Sequence, residues 1–471
     1  MDPTHDLTTI TLGRHHLVGD WLRPIATGAS SNVVAGVRRF DERQVMWLET
    51  GAGGLLSLRD FDVLARAVVD AADNGLPIVG AISSLTPEID ADPGSIVGWG
   101  RWARALAAAS GIVPTLVVID GPVTSGLALV LGLVDIVIAT DRSMAYVSGP
   151  PAVVATSGRV IDPIDLGGPA VHGSTSGVAA IRAGDAESAL IALADVLAFL
   201  PSNNLTEAPR HPGRDSADRP SRACAELVPD DDRLAYDVRD VIADLVDDHE
   251  LCELRAGFGR SMVCGLARLD GHSIGVVASQ PAHLAGAIDI ASSQKAARFV
   301  QWCDAFGLPL LTLVDTPGYL PGRDLEWDGM IRHGGQLAFA YAAATVPRLC
   351  VIMRKAFGGA YIVMDCATMG NDVALAWPGS KIAVMGAPGA VQILHQRHLS
   401  GLDAGAATAE RERLEADYAT THLTPDDALR RGYVDAVVEP ADTRPALCRA
   451  LGTLLGKRSP GSARKHHNGP L

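Results

Sequence analysis

Several signals that would assign this chain to a ready class are missing. None of its seven cysteines (Cys224, Cys252, Cys264, Cys303, Cys350, Cys366, Cys448) stands in a C-x-x-C pair, so neither a zinc ribbon nor a thioredoxin-type centre is signalled. Odd in number and scattered through apolar stretches, they read as free thiols of a reducing cytoplasm. No apolar segment with basic flanks opens the chain, so no signal peptide is expected. No uncharged apolar run reaches the length of a membrane span; Val113 to Ile138 comes nearest, and Asp120, Pro122 and Asp135 interrupt it. Excess positive charge is lacking too. Lys plus Arg number 40 against 54 Asp plus Glu, and the net charge of −14 argues against general nucleic-acid or membrane-surface binding. A local basic pocket for a phosphorylated ligand stays compatible with that balance.

Apolar residues are what the chain has in plenty. At 48% hydrophobic over 471 residues it is too long for one core, and the length suggests about two to four well-buried α/β domains. Residues 1–30 are weakly patterned. Val45 to Glu49 reads as a strand, followed by the glycine run Gly51-Ala52-Gly53-Gly54. Ser57 to Asn74 is a helix with Phe61, Leu64, Val68 and Ala72 on one stripe, stopped by Gly75. Pro77 to Ile82 is a strand and Val97 to Ser110 a helix. This alternation predicts βαβ units around a partly parallel sheet. Residues 206–233, rich in Pro, Arg, Asp and Ser, read as a linker between domains at 31–205 and 234–456, and residues 457–471 as a disordered basic tail. In the second half, Ser292 or Ser293 is expected to cap a helix that Gly307 and Pro309 end.

The most informative stretch is Arg354-Lys355-Ala356-Phe357-Gly358-Gly359-Ala360-Tyr361. It follows a buried-looking strand, Leu349 to Met353, and opens a helix. Two glycines at such a turn let the backbone bend sharply and approach a ligand. The unspent N–H groups of the turn then suit an oxygen that gains negative charge during a reaction. A second copy lies upstream: the strand Pro114 to Asp120, the turn Gly121-Pro122-Val123-Thr124-Ser125-Gly126, and a helix from Leu127. Each copy continues into another strand and a glycine bend, Ser148-Gly149-Pro150 and Met385-Gly386-Ala387-Pro388. The chain therefore reads as one supersecondary unit used twice, each with a backbone oxyanion hole; the competing reading is that small residues here only allow close helix–strand packing.

Longer motifs carry a family resemblance. They are GVVASQPAHLAGAIDIASSQKAARFVQWCDAFGLPLLTLVDTPGYLPG from Gly275, IRHGGQLAFAYAAATVP from Ile331, RKAFGGAYIVMD from Arg354, LAWPGSKIAVMGAPGAV from Leu375 and RRGYVDAVVEP from Arg430. The chain resembles the carboxyltransferase β subunit of biotin-dependent acyl-CoA carboxylases of the propionyl-/acetyl-CoA type. The first half is similar more faintly, through Asp162–Gly168 with His172 and Ser176-Gly177, Leu200-Pro201-Ser202-Asn203-Asn204, and Tyr236-Asp237-Val238-Arg239. It departs from the family where Ser83-Ser84-Leu85-Thr86-Pro87-Glu88 replaces a glycine-rich Arg- and Glu-containing loop, and where Thr124-Ser125-Gly126 replaces an AGG turn.

The resemblance implies an α/β fold of two crotonase-like ββα-superhelix domains. The N domain of one protomer would face the C domain of the next, in a dimer or a hexamer built as a trimer of dimers. It implies transfer of a carboxyl group from carboxybiotin, carried on a biotin carboxylase or carrier partner, to the α carbon of an acyl thioester through an enolate. Ser125 and Gly126 match the positions that hold the thioester oxygen, and Gly359 and Ala360 those that hold the biotin ureido oxygen. Thr124, Gly358, Tyr361 and Ile362 would flank the substrate. Ile362 stands where the family selects the acyl chain, often with Asp, and otherwise reads as a helix core residue. Arg332 and His333 read as structural at a helix start, Lys355 as either ligand-facing or salt-bridged, and Cys366 as a small buried side chain. No metal is implied. Two other readings stay open: a decarboxylase or biotin-independent enzyme acting on malonyl-type thioesters, with the acyl group on CoA or a carrier protein, and a non-catalytic subunit scaffolding an active homologue.

Overall fold

The structure, a computed structural model, describes residues 17–27, 32–51, 56–84, 94–457 and 468–470. The glycine run at 52–54, the replaced loop at Leu85–Glu88 and nearly all of the basic tail lie outside the described residues. The chain divides into two compact units. Unit 1 runs to Pro209 and takes in Leu254–Phe258 and Ala305–Gly307; unit 2 comprises Arg210–Glu253, Gly259–Asp304 and Leu308 onward. The stretch read as a linker thus belongs, from Arg210 on, to unit 2, where Ser221 and Cys224 are fully buried and the Ser221 hydroxyl donates to the Pro440 carbonyl.

Unit 1 is built on strands β1 (Leu17–Thr27), β2 (Val33–Phe40), β3 (Arg43–Thr50), β4 (Ile78–Ser84), β5 (Thr115–Thr124), β6 (Ile136–Thr140), β7 (Met144–Tyr146) and β8 (Ile181–Ala183). They form one sheet in the order β1-β2-β3-β4-β5-β6-β8, with β7 on β5. The first two pairings are antiparallel and the rest parallel. Unit 2 repeats the plan with β9 (Cys252–Glu253), β10 (Met262–Leu269), β11 (His272–Ser279), β12 (Leu310–Thr316), β13 (Arg348–Phe357), β14 (Val373–Ala376), β15 (Lys381–Ala383) and β16 (Ala436–Val437). Their order is β9-β10-β11-β12-β13-β14-β16, with β15 on β13 and the antiparallel pairings again at the start. The parallel strands are continuous apolar runs because helices cover both faces.

In both units the strand that leads to the glycine turn changes partner halfway. β5 pairs β6 over Leu116–Ile119 and β7 over Pro122–Thr124; β13 pairs β14 over Leu349–Ile352 and β15 over Lys355–Phe357. The register therefore equates Pro122 with Lys355, Thr124 with Phe357 and Ser125 with Gly358. Both strands run further than the sequence suggested, into the residues read as the turn.

Local capping follows the side chains available. The Leu58–Asn74 helix begins at Ser57, whose hydroxyl accepts from the Asp60 N–H while the Asp60 carboxylate accepts from the Ser57 N–H, and it ends at Gly75 with φ +64°. The Ile290–Ala305 helix corrects an expectation. Asp289, not Ser292 or Ser293, stands at its start: its carboxylate accepts from the Ser292 N–H at 2.7 Å, and the Ser292 hydroxyl accepts from the Asp289 N–H at 2.9 Å. A carboxylate three residues upstream takes the capping role, and Ser292 becomes the reciprocal partner one turn in.

Candidate active site

In unit 2 all ten residues of β13 are buried, and the chain leaves the sheet at Gly358, with φ +61°, to start the short Gly358–Val363 helix. A left-handed residue is required there, and glycine adopts it without steric cost. Among the described residues, the N–H groups of Gly359 and Ala360 donate to no protein acceptor. A side chain at Gly359 would meet only the Tyr319 ring, at 3.8 Å, so its amide plane is approachable. Tyr319 belongs to the loop after β12, and burial pushes its phenol up to about 12.

Beside the turn lies a pocket of roughly 700 Å³. Gly358, Gly359, Tyr361 and Ile362 form one wall, and Ile382, Val384, Leu394, Tyr418 and Tyr433 form others. Arg431 and Asp427 are its charged members, joined to each other at 2.7 Å. Ile362 is 39% exposed, so it lines the opening rather than a helix core. Tyr361 is buried, and burial pushes its phenol up. Ala360 is fully buried and is not among the residues lining the pocket.

The strand end beneath this turn is held by Asp315, whose side chain is fully buried. Its carboxylate accepts from Arg354 Nε at 2.9 Å, from the Tyr236 hydroxyl at 3.0 Å and from the Lys355 N–H at 3.2 Å, and Lys355 Nζ lies 3.6 Å away. Arg354 Nη1 donates to the carbonyls of Pro229, Asp231 and Leu234. Of the two roles open to Lys355, the structure gives the salt-bridged one. At the start of the Met330–Ala343 helix Arg332 is exposed and His333 half-buried, Arg332 donating to His333 at 3.1 Å. Cys366 is buried, with its sulfur 3.0 Å from the Thr368 hydroxyl.

In unit 1 the corresponding turn keeps the backbone and changes the residue. Ser125 adopts φ +59°, matching Gly358. For a non-glycine residue that costs about 1–2 kcal/mol, so the fold imposes the conformation. Thr124 is buried as the last residue of β5. The N–H groups of Ser125 and Gly126 donate to no protein acceptor among the described residues. By register, however, Ser125–Gly126 corresponds to Gly358–Gly359, so the two pairs named from sequence are offset by one residue. Gly121, at φ +151°, packs against Ser83, and Gly126 against the Trp99 indole. His172 is structural: Nε2 donates to the Ala145 carbonyl of β7, and Nδ1 accepts from the Ser176 hydroxyl, both at 2.7 Å.

Sequence reasoning missed the ion network centred on Asp315, the Tyr418 and Tyr433 walls, and Trp99. Only the last carried a local signal, two tryptophans three apart in the Gly94–Ala109 helix.

A family described as the carboxyl transferase domain matches residues 46–468. The chain belongs to the carboxyl transferase family. This carboxyl transferase is 40% identical over 463 residues to the propionyl-CoA carboxylase beta chain of Saccharopolyspora erythraea, covering 95% of this chain and 84% of that one. It is 36% identical over 443 residues to the methylmalonyl-CoA decarboxylase subunit alpha of Veillonella parvula, covering 93% and 85%. Among solved structures it is similar to a transcarboxylase 12S hexamer with methylmalonyl-coenzyme A and methylmalonic acid bound, at TM-score 0.89 and 34% identity, over 93% of this chain and 85% of that one. The α/β, crotonase-like reading of the doubled sheet holds for this carboxyl transferase. No helix among the described residues is long and apolar enough to cross a membrane, and no group of His, Cys, Asp or Glu among them is arranged to hold a metal.

Proposed function

We propose that this chain is the carboxyltransferase subunit of a biotin-dependent acyl-CoA carboxylase, working in the cytoplasm as a homo-oligomer, a hexamer or dimer, with a biotin-carrying partner. The observation that carries the reading is the pair of unspent N–H groups at Gly359 and Ala360 in a turn whose exposed Gly359 lines a largely apolar pocket of roughly 700 Å³, with Ala360 buried behind it. Such a pocket fits a compact bicyclic group with one strongly accepting urea oxygen, and the amides fit that oxygen. Biotin, when bound there, supplies the carboxyl group to be moved.

The chain's own contribution is electrostatic. Biotin, once its carboxyl group had left as carbon dioxide, would supply the base that takes the α-proton of the acyl thioester; as that proton leaves, charge develops on the thioester oxygen, and the Ser125 and Gly126 N–H groups receive it. The new carbon–carbon bond to carbon dioxide then returns that charge to the carboxylate. Preformed donors cost no reorganisation as the charge appears, and one such donor is worth about 3–4 kcal/mol, or 10²–10³ in kcat. The same machinery run backwards releases carbon dioxide from a malonyl-type thioester. The similarity to a decarboxylase alpha subunit favours keeping that direction as a second reading.

Gly359→Pro tests the reading. Proline deletes one N–H and is accepted in a helix's first turn, and the nearest atom to a new Cβ is 3.8 Å away. The full chain is incubated with free biotin and carboxyl-labelled methylmalonyl-CoA or malonyl-CoA. Wild type should move label to biotin, and the variant should do so at least about 10²-fold more slowly at similar KM. Label released only as carbon dioxide would favour the decarboxylase reading. No turnover by wild type, or an unimpaired Gly359→Pro, would overturn the proposal.

A further inference from the structure

The two glycine turns differ in the charges beneath them. In unit 1 Ser84 pairs with Val123, and in unit 2 Thr316 pairs with Ala356. With Pro122 equated to Lys355, the same register sets Gly121 against Arg354 and Ser83 against Asp315. Three neutral residues in one unit thus answer to three ions in the other. The single charge on β5, Asp120, is cancelled by Arg142.

The three ions of unit 2 do not cancel. Arg354, Lys355 and Asp315 are 3%, 5% and 0% exposed, and the one carboxylate serves both cations, at 2.9 Å and 3.6 Å. The aspartates alongside are engaged elsewhere. Asp232 takes Lys381 at 2.6 Å, Asp231 takes Arg233 at 2.9 Å, and Asp230 is exposed to solvent. Besides Asp315, Lys355 is held by the Asp232 carbonyl, 3.3 Å from Nζ. A carbonyl dipole solvates a cation without cancelling its charge. One buried positive charge is therefore in excess beneath the Gly358 turn. A buried charge without its own counter-ion is costly, and the matching left-handed φ of Ser125 shows that the turn forms without it.

We infer that Lys355 supplies a positive field under the Gly359–Ala360 turn, so that this turn, and not its twin at Ser125–Gly126, is built to hold an oxygen bearing a full negative charge. The inference rests on the role proposed above for Gly359 and Ala360. Lys355 is not among the residues lining the pocket, so it acts by its field and not by contact. Three residues of strand, about 10 Å, separate it from Gly358. At about 10–15 Å and an effective dielectric constant of about 20, a unit charge alters the stability of an anion about five- to fifteenfold.

The experiment reads the held oxygen directly. Infrared difference spectra are taken of biotinamide, carbon-13 labelled at the urea carbonyl, bound to the full chain as wild type, Lys355→Met and Lys355→Arg. Hydrogen-bond donors and positive charge at the oxygen end both lower the carbonyl stretching frequency. Part of the downshift seen with wild type should be lost in Lys355→Met, which keeps an unbranched side chain without its charge, and should return in Lys355→Arg. In turnover, Lys355→Met should lose about five- to fifteenfold in kcat with KM within about twofold. A lysine that only braced the strand would alter hydrogen-exchange protection of β13 and leave the bound carbonyl's frequency where it was. A full downshift retained in Lys355→Met, or a loss that Lys355→Arg does not restore, overturns the inference and leaves the amide turn standing. No downshift in wild type instead overturns the role given to the turn. Should Lys355→Met fail to fold, Lys381→Met decides. Lys381 is 32% exposed, and its removal frees Asp232 to offset Lys355. The downshift should then shrink in the same direction, and an unchanged frequency overturns the inference.

Discussion

Removing the Asp315 carboxylate should loosen β13 far more than removing it together with its partner. In Asp315→Ala the Arg354 guanidinium, whose side chain is 4% exposed, loses the carboxylate held at 2.9 Å, and the Tyr236 hydroxyl and Lys355 N–H lose their acceptor. Breaking a buried pair from one side costs about 3–5 kcal/mol, because the remaining charge stays uncompensated. Against a typical stability of about 5–15 kcal/mol, that is a large fraction. At 1.36 kcal/mol per decade, protection of the β13 amides against hydrogen exchange should fall between about a hundredfold and a few thousandfold. The double variant Asp315→Leu/Arg354→Met removes both charges and keeps apolar volume, so it should regain more than half of the loss. Gly359 lies four residues beyond Lys355, so the single variant should also lose carboxyl transfer. A loss of protection below about tenfold in Asp315→Ala, or a double variant as damaged as the sum of its singles, would refute the claim that this ion network holds the strand.

Gly358→Ala should lower Tm by about 2–4 °C for each kcal/mol of left-handed strain added, with the Val384 carbonyl 3.1 Å from the new methyl. Ser125→Gly should leave Tm nearly unchanged, since the strain it relieves is offset by the added freedom of the unfolded chain; differential scanning calorimetry compares the two. Gly80→Ala should yield little soluble protein, because a Cβ there overlaps the Leu48 carbonyl of the adjacent strand. Glu410 is held at about 2, below its ordinary 4.5, chiefly by its hydrogen bond with Arg413 and with help from His398. Its contribution is therefore complete above about pH 4.5 and lost as pH falls toward 2. Pepsin should cut the Ala404–His422 helix progressively faster across that window, and Glu410→Gln should remove the pH-dependent step.

What was legible in the sequence was local or repeated. Ser57 and Gly75 bound their helix as read, since capping acts within a single turn. The doubled sheet was legible because parallel strands buried on both faces leave apolar runs at matching intervals. Asp289 was hidden by two serines that looked equally able to cap, and only the geometry of the first turn separates them. The one-residue offset between the two turns was hidden because glycine content, not φ, guided the reading: Ser125 holds a conformation that its side chain disfavours. The burial of Lys355 depends on Asp315, 40 residues away in sequence, and the placement of Trp99 on Gly126 depends on helix–strand packing. Neither leaves a trace in local composition.

The change of partner within β13 has a consequence for how this chain can vary. Met353 and Arg354 form the two-residue step between its pairing with β14 and its pairing with β15. Because side chains alternate between the two faces of a strand, and N–H groups between its two edges, with a period of two, deleting one residue from that step would reverse the direction in which the chain leaves the strand at Gly358 while leaving the pairing before Ile352 intact. Length in this step is therefore constrained more tightly than composition, and a variant could fold well and still present no amide to a ligand.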